Sequence, residues 1–179
     1  MHKVASNEIK HWFDLYYVRL CTFALRLVNC QETARDLAQD AFVALMEDEL
    51  RKDGDAQVVK SYLYSAVKHA ALNWMRHQQI ANRVHEQQSV NEIEEAKALQ
   101  AILHAEVIGE LHAALDTLPQ GCGQICKMGY LEGMKNFEIA EALNISINTV
   151  KTQKQRALLL LRNRLSPHAL SLLLYFLLK

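Results

Sequence analysis

The chain has 179 residues, half of them apolar, with 20 basic and 20 acidic side chains and a formal net charge of zero. That is enough to fill the core of one ordinary domain or two small helical ones. No Gly-rich phosphate loop, metal-ligand spacing or nucleophile motif occurs, which argues against an enzyme and leaves no metal or cofactor to expect.

The opening Met1–Lys10 is polar and carries no signal peptide, so a cytoplasmic chain is expected. A first block from about Glu8 to Gln79 is helical in period. Within it, ETARDLAQDAFVALME turns Ala34, Leu37, Ala38, Ala41 and Leu45 to one side and Asp36, Gln39, Asp40, Val43 and Glu47 to the other. The outward set is acidic with one exposed aliphatic residue, a pattern shared by many solvated helix faces. Next, VKSYLYSAVKHAALNWMRHQ interleaves Tyr62, Tyr64 and Trp74 with Lys60, Lys68, His69, Asn73, Arg76 and His77. Aromatic rings beside positive charge suit single-stranded DNA, whose bases stack while its backbone is neutralised. Leu63, Val67 and Ala70 share a buried side, which Tyr62 or Trp74 can join.

A polar stretch from Gln78 to Lys97 follows, without an apolar stripe, and reads as either a flexible tether or an exposed helix continuation. From Ile93 to Ala114 the chain turns amphipathic, the expected start of a second domain; Leu118-Pro119 closes that helix and Gln120 to Leu131 begins the next. The expected organisation is all-α, with domains at 1–80 and 99–179 joined by a linker at 81–98.

The segment Asn136 to Leu165 predicts two helices and a tight turn, the parts of a helix-turn-helix in order. The first helix is expected to bury Phe137, Ile139, Ala140 and Leu143. After Asn144-Ile145, Ser146 sits where an N-cap hydroxyl satisfies the opening amides of the second helix. Ile147, Val150, Ala157, Leu161 and Leu165 return to one side of it, leaving Asn148, Lys151, Thr152, Gln155 and Arg156 outward. Such side chains neutralise phosphates or read base edges. Lys154 falls on the inner side, where its stem is expected to cover the core edge while its ammonium reaches phosphate. Between Lys151 and Arg164 no carboxylate occurs, so the neutral total charge conceals a segregated one: acids in surplus over Glu32–Asp55, and bases alone over Lys60–Arg83.

Cys21, Cys30, Cys122 and Cys126 form no CxxC pair, and the eight histidines are scattered singly. Buried free thiols in a reducing compartment are expected. The tail Ala169–Leu178, ALSLLLYFLL, is about ten residues long where a spanning helix needs about twenty, so the chain is not expected to be a membrane protein itself. It reads as a helix docked on its own domain, or else as a partner-binding or membrane-touching tail.

The order of these parts resembles an extracytoplasmic-function sigma factor of the sigma-70 family, the minimal kind with only the second and fourth sigma domains. The resemblance runs from about Phe13 to Leu165 and rests on DLAQDAF, SYLYSAVKH and EIAEALNISINTVK in the family order. It implies a sigma-2-like bundle and a sigma-4-like helix-turn-helix domain, with core RNA polymerase and promoter DNA as partners. Asp36, Leu37, Gln39, Asp40 and Phe42, with Val43 beside them, match the region 2.2 helix that grips the largest polymerase subunit. Lys60, Tyr62, Tyr64, Lys68, His69, Asn73, Trp74 and Arg76 match regions 2.3 and 2.4, which recognise and open the start-proximal element. The loop Asp53–Val59 resembles one that captures a flipped base. Thr149, Lys151, Thr152, Gln155 and Arg156, with Asn148 preceding them, match the region 4.2 helix that reads the upstream element. Ser65 and His69 stand where relatives commonly have Arg and Asn, implying a differently tuned start-proximal contact. The cluster YLYSAVKHAALNWMRH, Lys154 and the leucine-rich tail are similar to Bacteroidetes-type members, many of them iron-starvation factors, which implies an anti-sigma factor as a further partner. The alternative is a stand-alone helix-turn-helix regulator, which has no use for the acidic face or the aromatic-basic helix.

Overall fold

A computed structural model describes residues 2–48, 54–81, 90–130, 132–162 and 164–171. In order along the described residues come α1 (His2–Val28), α2 (Gln31–Glu47), α3 (Ala56–Ala81), α4 (Val90–Asp116), α5 (Gln120–Tyr130), α6 (Asn136–Ala142) and α7 (Ile147–Leu161). Among the described residues there is no strand, as the helical periodicity predicts. A further helical segment begins at 167 and is described to 171.

The chain divides into two compact units, Met1–Gly109 and Glu110–Lys179. In the first, α1 and α2 form an antiparallel pair because only two residues join them. Asn29 takes the left-handed conformation (φ 53°) that ends α1, its amide bonding the Leu25 carbonyl at 2.9 Å. Cys30 is extended, and its carbonyl accepts from Ala34 at 2.9 Å to open α2. α2 then buries Ala34, Leu37, Ala38, Ala41, Phe42 and Leu45, a stripe at alternating three- and one-residue steps. α3 packs across both helices, and Leu20, Phe23, Leu45, Val59, Leu63 and Val67 are wholly enclosed between them.

α4 departs from the sequence reading. Its residues 99–109 were expected in the second domain, yet Ala101 and Ala105, with Ile102 beside them, belong to the core of the first unit. Small side chains let a helix approach closely, so the alanines at 98, 101 and 105 are buried while Leu99 and Leu103 remain 60% exposed. Of the expected linker, residues 82–89 lie outside the described residues, and 90–98 are helical.

The second unit is built from the end of α4 and from α5, α6 and α7. Leu111, Leu115, Leu118, Ile125, Ile139, Val150 and Leu161 are buried there. The segment starting at 167 is tied to α4: the Ser166 amide and hydroxyl donate to the two Glu110 carboxylate oxygens, at 2.5 and 2.7 Å. Ala169 is fully buried, in keeping with a docked helix, and residues 172–178 of the apolar tail lie outside the described residues. Among the described residues no helix is long and apolar enough to cross a membrane.

Candidate nucleic-acid interface

The turn between α6 and α7 is closed at both ends by hydrogen bonds that the sequence supplies. α6 ends in a Schellman motif: Asn144 is left-handed (φ 52°), its amide bonds the Glu141 carbonyl at 3.2 Å, and the Ile145 amide bonds the Ala140 carbonyl at 2.9 Å. Asn tolerates that conformation better than most residues. Ser146 is then the N-cap of α7, its hydroxyl accepting from the Thr149 amide at 3.0 Å. At the other end, the Lys135 amide donates to the Glu138 carboxylate at 2.6 Å and holds the start of α6. Ser146→Ala is expected to lower the stability of the chain by about 1 kcal/mol, measurable by urea denaturation, and to loosen the approach of α7 to any partner.

With the turn fixed, α7 seats Val150 against Ile125, Ile139 and Ala140, and Ala157 and Leu161 are buried on the same side of the helix. Asn148, Thr149, Lys151, Thr152, Gln155 and Arg156 are all exposed. Thr152 donates its hydroxyl to the Asn148 carbonyl at 2.9 Å, which orients the side chain. The six side chains carry two cations, two amides and two hydroxyls on one surface, the mixture that direct readout of a major groove employs.

Three expectations about this unit are corrected. Phe137 is 53% exposed, because α6 is only seven residues long and turns Ile139 and Ala140 inward; its ring lies 6.0 Å from the Lys135 ammonium instead. Ile147 is 44% exposed, being the first residue of α7 and beyond the reach of the core. Lys154 does not offer its ammonium outward: Nζ donates to Asn136 Oδ1 at 2.7 Å and sits 5.4 Å from the Tyr130 ring centre. Burial pulls its pKa below the ordinary lysine value. A Cβ at Gly129 would fall 2.6 Å from that Nζ, so the glycine leaves the space the lysine occupies. Beside it, Cys122 Sγ lies 2.8 Å from Gln153 Oε1, a second tie from α5 to the inner side of α7. Cys122 and Cys126 are buried free thiols, and Cys21 and Cys30 are half-buried. Burial pushes the Cys126 thiol up to about 12, which keeps it protonated and unreactive. Among the described residues no group of three metal-ligating side chains occurs.

In the first unit the α2 face is as expected for Asp36, Gln39, Asp40 and Val43, which are exposed. Leu37 and Phe42, placed in the same contact set, are core side chains at 9% and 4% exposure; Phe42 packs 5.0 Å from the Phe13 ring. Their part in any contact is to hold the face, not to form it. On α3, Tyr62, Ser65, His69, Asn73 and Arg76 recur at three- and four-residue spacing and make a continuous stripe; Ser65, His69, Asn73 and Arg76 are exposed and Tyr62 is half-buried. Trp74 is half-buried against the core, Lys68 borders the stripe, and Lys60 lies one turn before Tyr64 on the inner side of α3, its ammonium 3.0 Å from Glu106. Tyr64 does not belong to this surface. It is 6% exposed, its ring edge-on to Phe23 at 5.2 Å, because Leu63, Tyr64, Val67 and Ala71 together form the buried side of α3. The loop expected over Asp53–Val59 is shorter than expected, since α3 already begins at Ala56; Asp53 lies outside the described residues.

A family model of sigma-70 region 2 matches residues 12–80, and one of sigma-70 region 4 matches residues 108–161. Together they take in well over half of the chain and coincide with α1–α3 and with the end of α4 through α7. The chain belongs to the sigma-70 family. It is similar to the ECF RNA polymerase sigma factor SigX of Bacillus subtilis, at 27% identity over 159 residues that cover 86% of this chain and 81% of that one. It is also similar to the RNA polymerase sigma factor SigV of the same organism, at 29% identity over 148 residues, 83% of this chain and 85% of that one. These matches make it an RNA polymerase sigma factor of the extracytoplasmic-function kind, which binds core polymerase and directs promoter-specific initiation. A stand-alone regulator is not favoured, since region 2 would then have no role. Sequence reasoning missed Glu106 and Arg19, which meet Lys60 and Tyr64 across the first unit.

Proposed function

We propose that this sigma factor divides its work among three surfaces. The exposed acidic face of α2, Asp36, Gln39, Asp40 and Val43, grips core polymerase. The α3 stripe of Tyr62, His69, Asn73 and Arg76, bordered by Lys68, holds the melted start-proximal strand. α7 lies in the major groove of the upstream element and reads it through Asn148, Thr149, Lys151, Thr152, Gln155 and Arg156. The observation that carries this reading is the last set: six polar side chains, every one exposed, on a helix whose opposite side is locked into a helix-turn-helix.

The chain supplies binding energy and performs no bond chemistry. Extruding a base costs a few kcal/mol, and stacking returns about 1 to 3 kcal/mol per base, so phosphate contacts must complete the balance. This gives the cations of α3 their task. The similarity of the α3 cluster and the leucine-rich tail to Bacteroidetes-type members supports control by a membrane-bound anti-sigma factor acting on a cytoplasmic protein.

The start-proximal assignment is tested with Arg76→Ala in holoenzyme on a dependent promoter. Opening, followed by permanganate reactivity of unpaired thymines, is expected to weaken, and the salt slope of binding to fall by about one, while the upstream footprint persists. Loss of the upstream footprint in step with opening would contradict the division of roles.

A further inference from the structure

We propose that Lys154 is a positioning residue for promoter readout: by tying the inner side of α7 to Asn136 of α6 and Tyr130 of α5, it sets the rotation at which Gln155 and Arg156 meet the upstream element. This rests on the reading of α7 as the helix that lies in the major groove there.

Two consecutive residues brace α7 just before the Gln155–Arg156 pair. Gln153 Oε1 accepts from the Cys122 thiol of α5 at 2.8 Å. Lys154 Nζ donates to Asn136 Oδ1, on the first residue of α6, at 2.7 Å, and lies 5.4 Å from the ring centre of Tyr130, the last residue of α5. Neighbouring side chains on a helix leave its axis about 100° apart, so the two ties act in different directions and α7 cannot turn without breaking one. The apolar contacts of Val150, Ala157 and Leu161 hold the helix down, but they are non-directional and tolerate a small turn. Magnitude makes that turn matter. At an outer helix radius of about 5 to 6 Å, a turn of about 10° moves a side-chain tip by about 1 Å. A binding constellation must be held to within about 0.5 Å. Ser146 pins the start of α7, so the residues beyond Lys154 depend most on this second brace.

Stability does not account for a lysine at this position. Lys154 is half-buried, and burial lowers its pKa, the sign of a charge held against a desolvation cost. Replacing such a charge with an apolar side chain of similar size is often neutral or stabilising. What the ammonium adds is a short charge-assisted bond of defined length and direction. Gly129 is matched to it. A Cβ there would fall 2.6 Å from Lys154 Nζ and 2.8 Å from its Cε, yet only at ordinary contact distance, 3.5 Å, from Ile139 Cδ1. Glycine is unfavourable in a helix relative to alanine, and the space it leaves beside α5 is the space the lysine tip takes.

The test uses holoenzyme assembled from core polymerase and the full chain, transcribing a barcoded promoter library in which the upstream element alone is randomised. Lys154→Met removes the charge and keeps an unbranched apolar stem. Gly129→Ala displaces the ammonium without touching α7. Each is expected to lower discrimination roughly three- to tenfold at the base pairs where Gln155→Ala and Arg156→Ala flatten the sequence profile, a part of what one paired base contact supplies. The urea midpoint of the factor should stay level or rise. Adding Asn136→Ala to Lys154→Met should cause no further loss, since the two residues share one bond. An unchanged profile for Lys154→Met and Gly129→Ala, with Arg156→Ala still flattening it, overturns the inference and leaves the reading of α7 standing. A profile that Arg156→Ala also leaves unchanged removes that reading and the inference with it. Discrimination that falls only in step with a lowered urea midpoint makes Lys154 a packing residue and overturns the proposal as well.

Discussion

Arg156→Ala is expected to lower transcription from a dependent promoter roughly tenfold to a hundredfold while leaving the affinity for core polymerase unchanged. Arg156 is exposed on α7, one turn beyond the exposed Thr152. An arginine in the major groove makes paired hydrogen bonds to guanine, and each such contact discriminates by about 1–3 kcal/mol, which sets the expected factor. The residue has no part in the core, which on α7 consists of Val150, Ala157 and Leu161, so folding should be unaffected. Lys151→Ala should act in the same direction but more uniformly across promoter sequences if it contacts phosphate, with the salt slope reduced by about one. The check is in vitro transcription from a promoter with an intact or scrambled upstream element. Arg156→Ala should matter on the first and little on the second. An equal loss on both, or a parallel loss of polymerase binding, would remove Arg156 from the upstream interface.

Asp40→Lys is expected to do the reverse. Asp40 and Asp36 stand exposed, one turn apart on α2, above a stripe fixed by Leu37, Ala41 and Phe42. A carboxylate that meets positive charge on polymerase becomes, on reversal, a like-charge contact costing several kcal/mol, so core affinity should fall by at least about thirtyfold. Single-stranded DNA binding by the free factor should not change, because α3 does not carry the substitution. Fluorescence titration of labelled factor with core enzyme measures the first quantity and anisotropy the second. Unchanged affinity for core would take Asp40 out of the contact set.

The helix-turn-helix was legible because its signals are local. Ser146 as N-cap, Asn144 at the left-handed turn and the return of Val150, Ala157 and Leu161 to one side all follow from short-range geometry, and the outward set followed from the inward one. End effects were not legible. Phe137 and Ile147 have the right spacing for a core, but each lies in the first turn of its helix, where periodicity continues and the core does not. Tyr64 was misplaced by residue type. Its position one after Leu63 and three before Val67 marks the buried side of α3, and that signal outweighs the presence of lysines nearby. α4 misled for the opposite reason. Leu99 and Leu103 carry the apolar signal but face outward, whereas the buried contact is made by alanines, which hydropathy hardly registers. Lys154 shows a further limit: nothing in sequence separates a lysine that reaches phosphate from one that bonds Asn136 within its own domain.

The three-surface account is tested most directly by mixing the purified chain with sigma-free core RNA polymerase and sequencing the 5′ ends of transcripts made from fragmented DNA of the genome that encodes it. It predicts discrete factor-dependent starts sharing two upstream motifs, with Arg156→Ala depleting starts that rely on the distal motif and Asp40→Lys depleting all of them. An absence of factor-dependent starts, with the chain folded and the core enzyme active with another sigma factor, would contradict it.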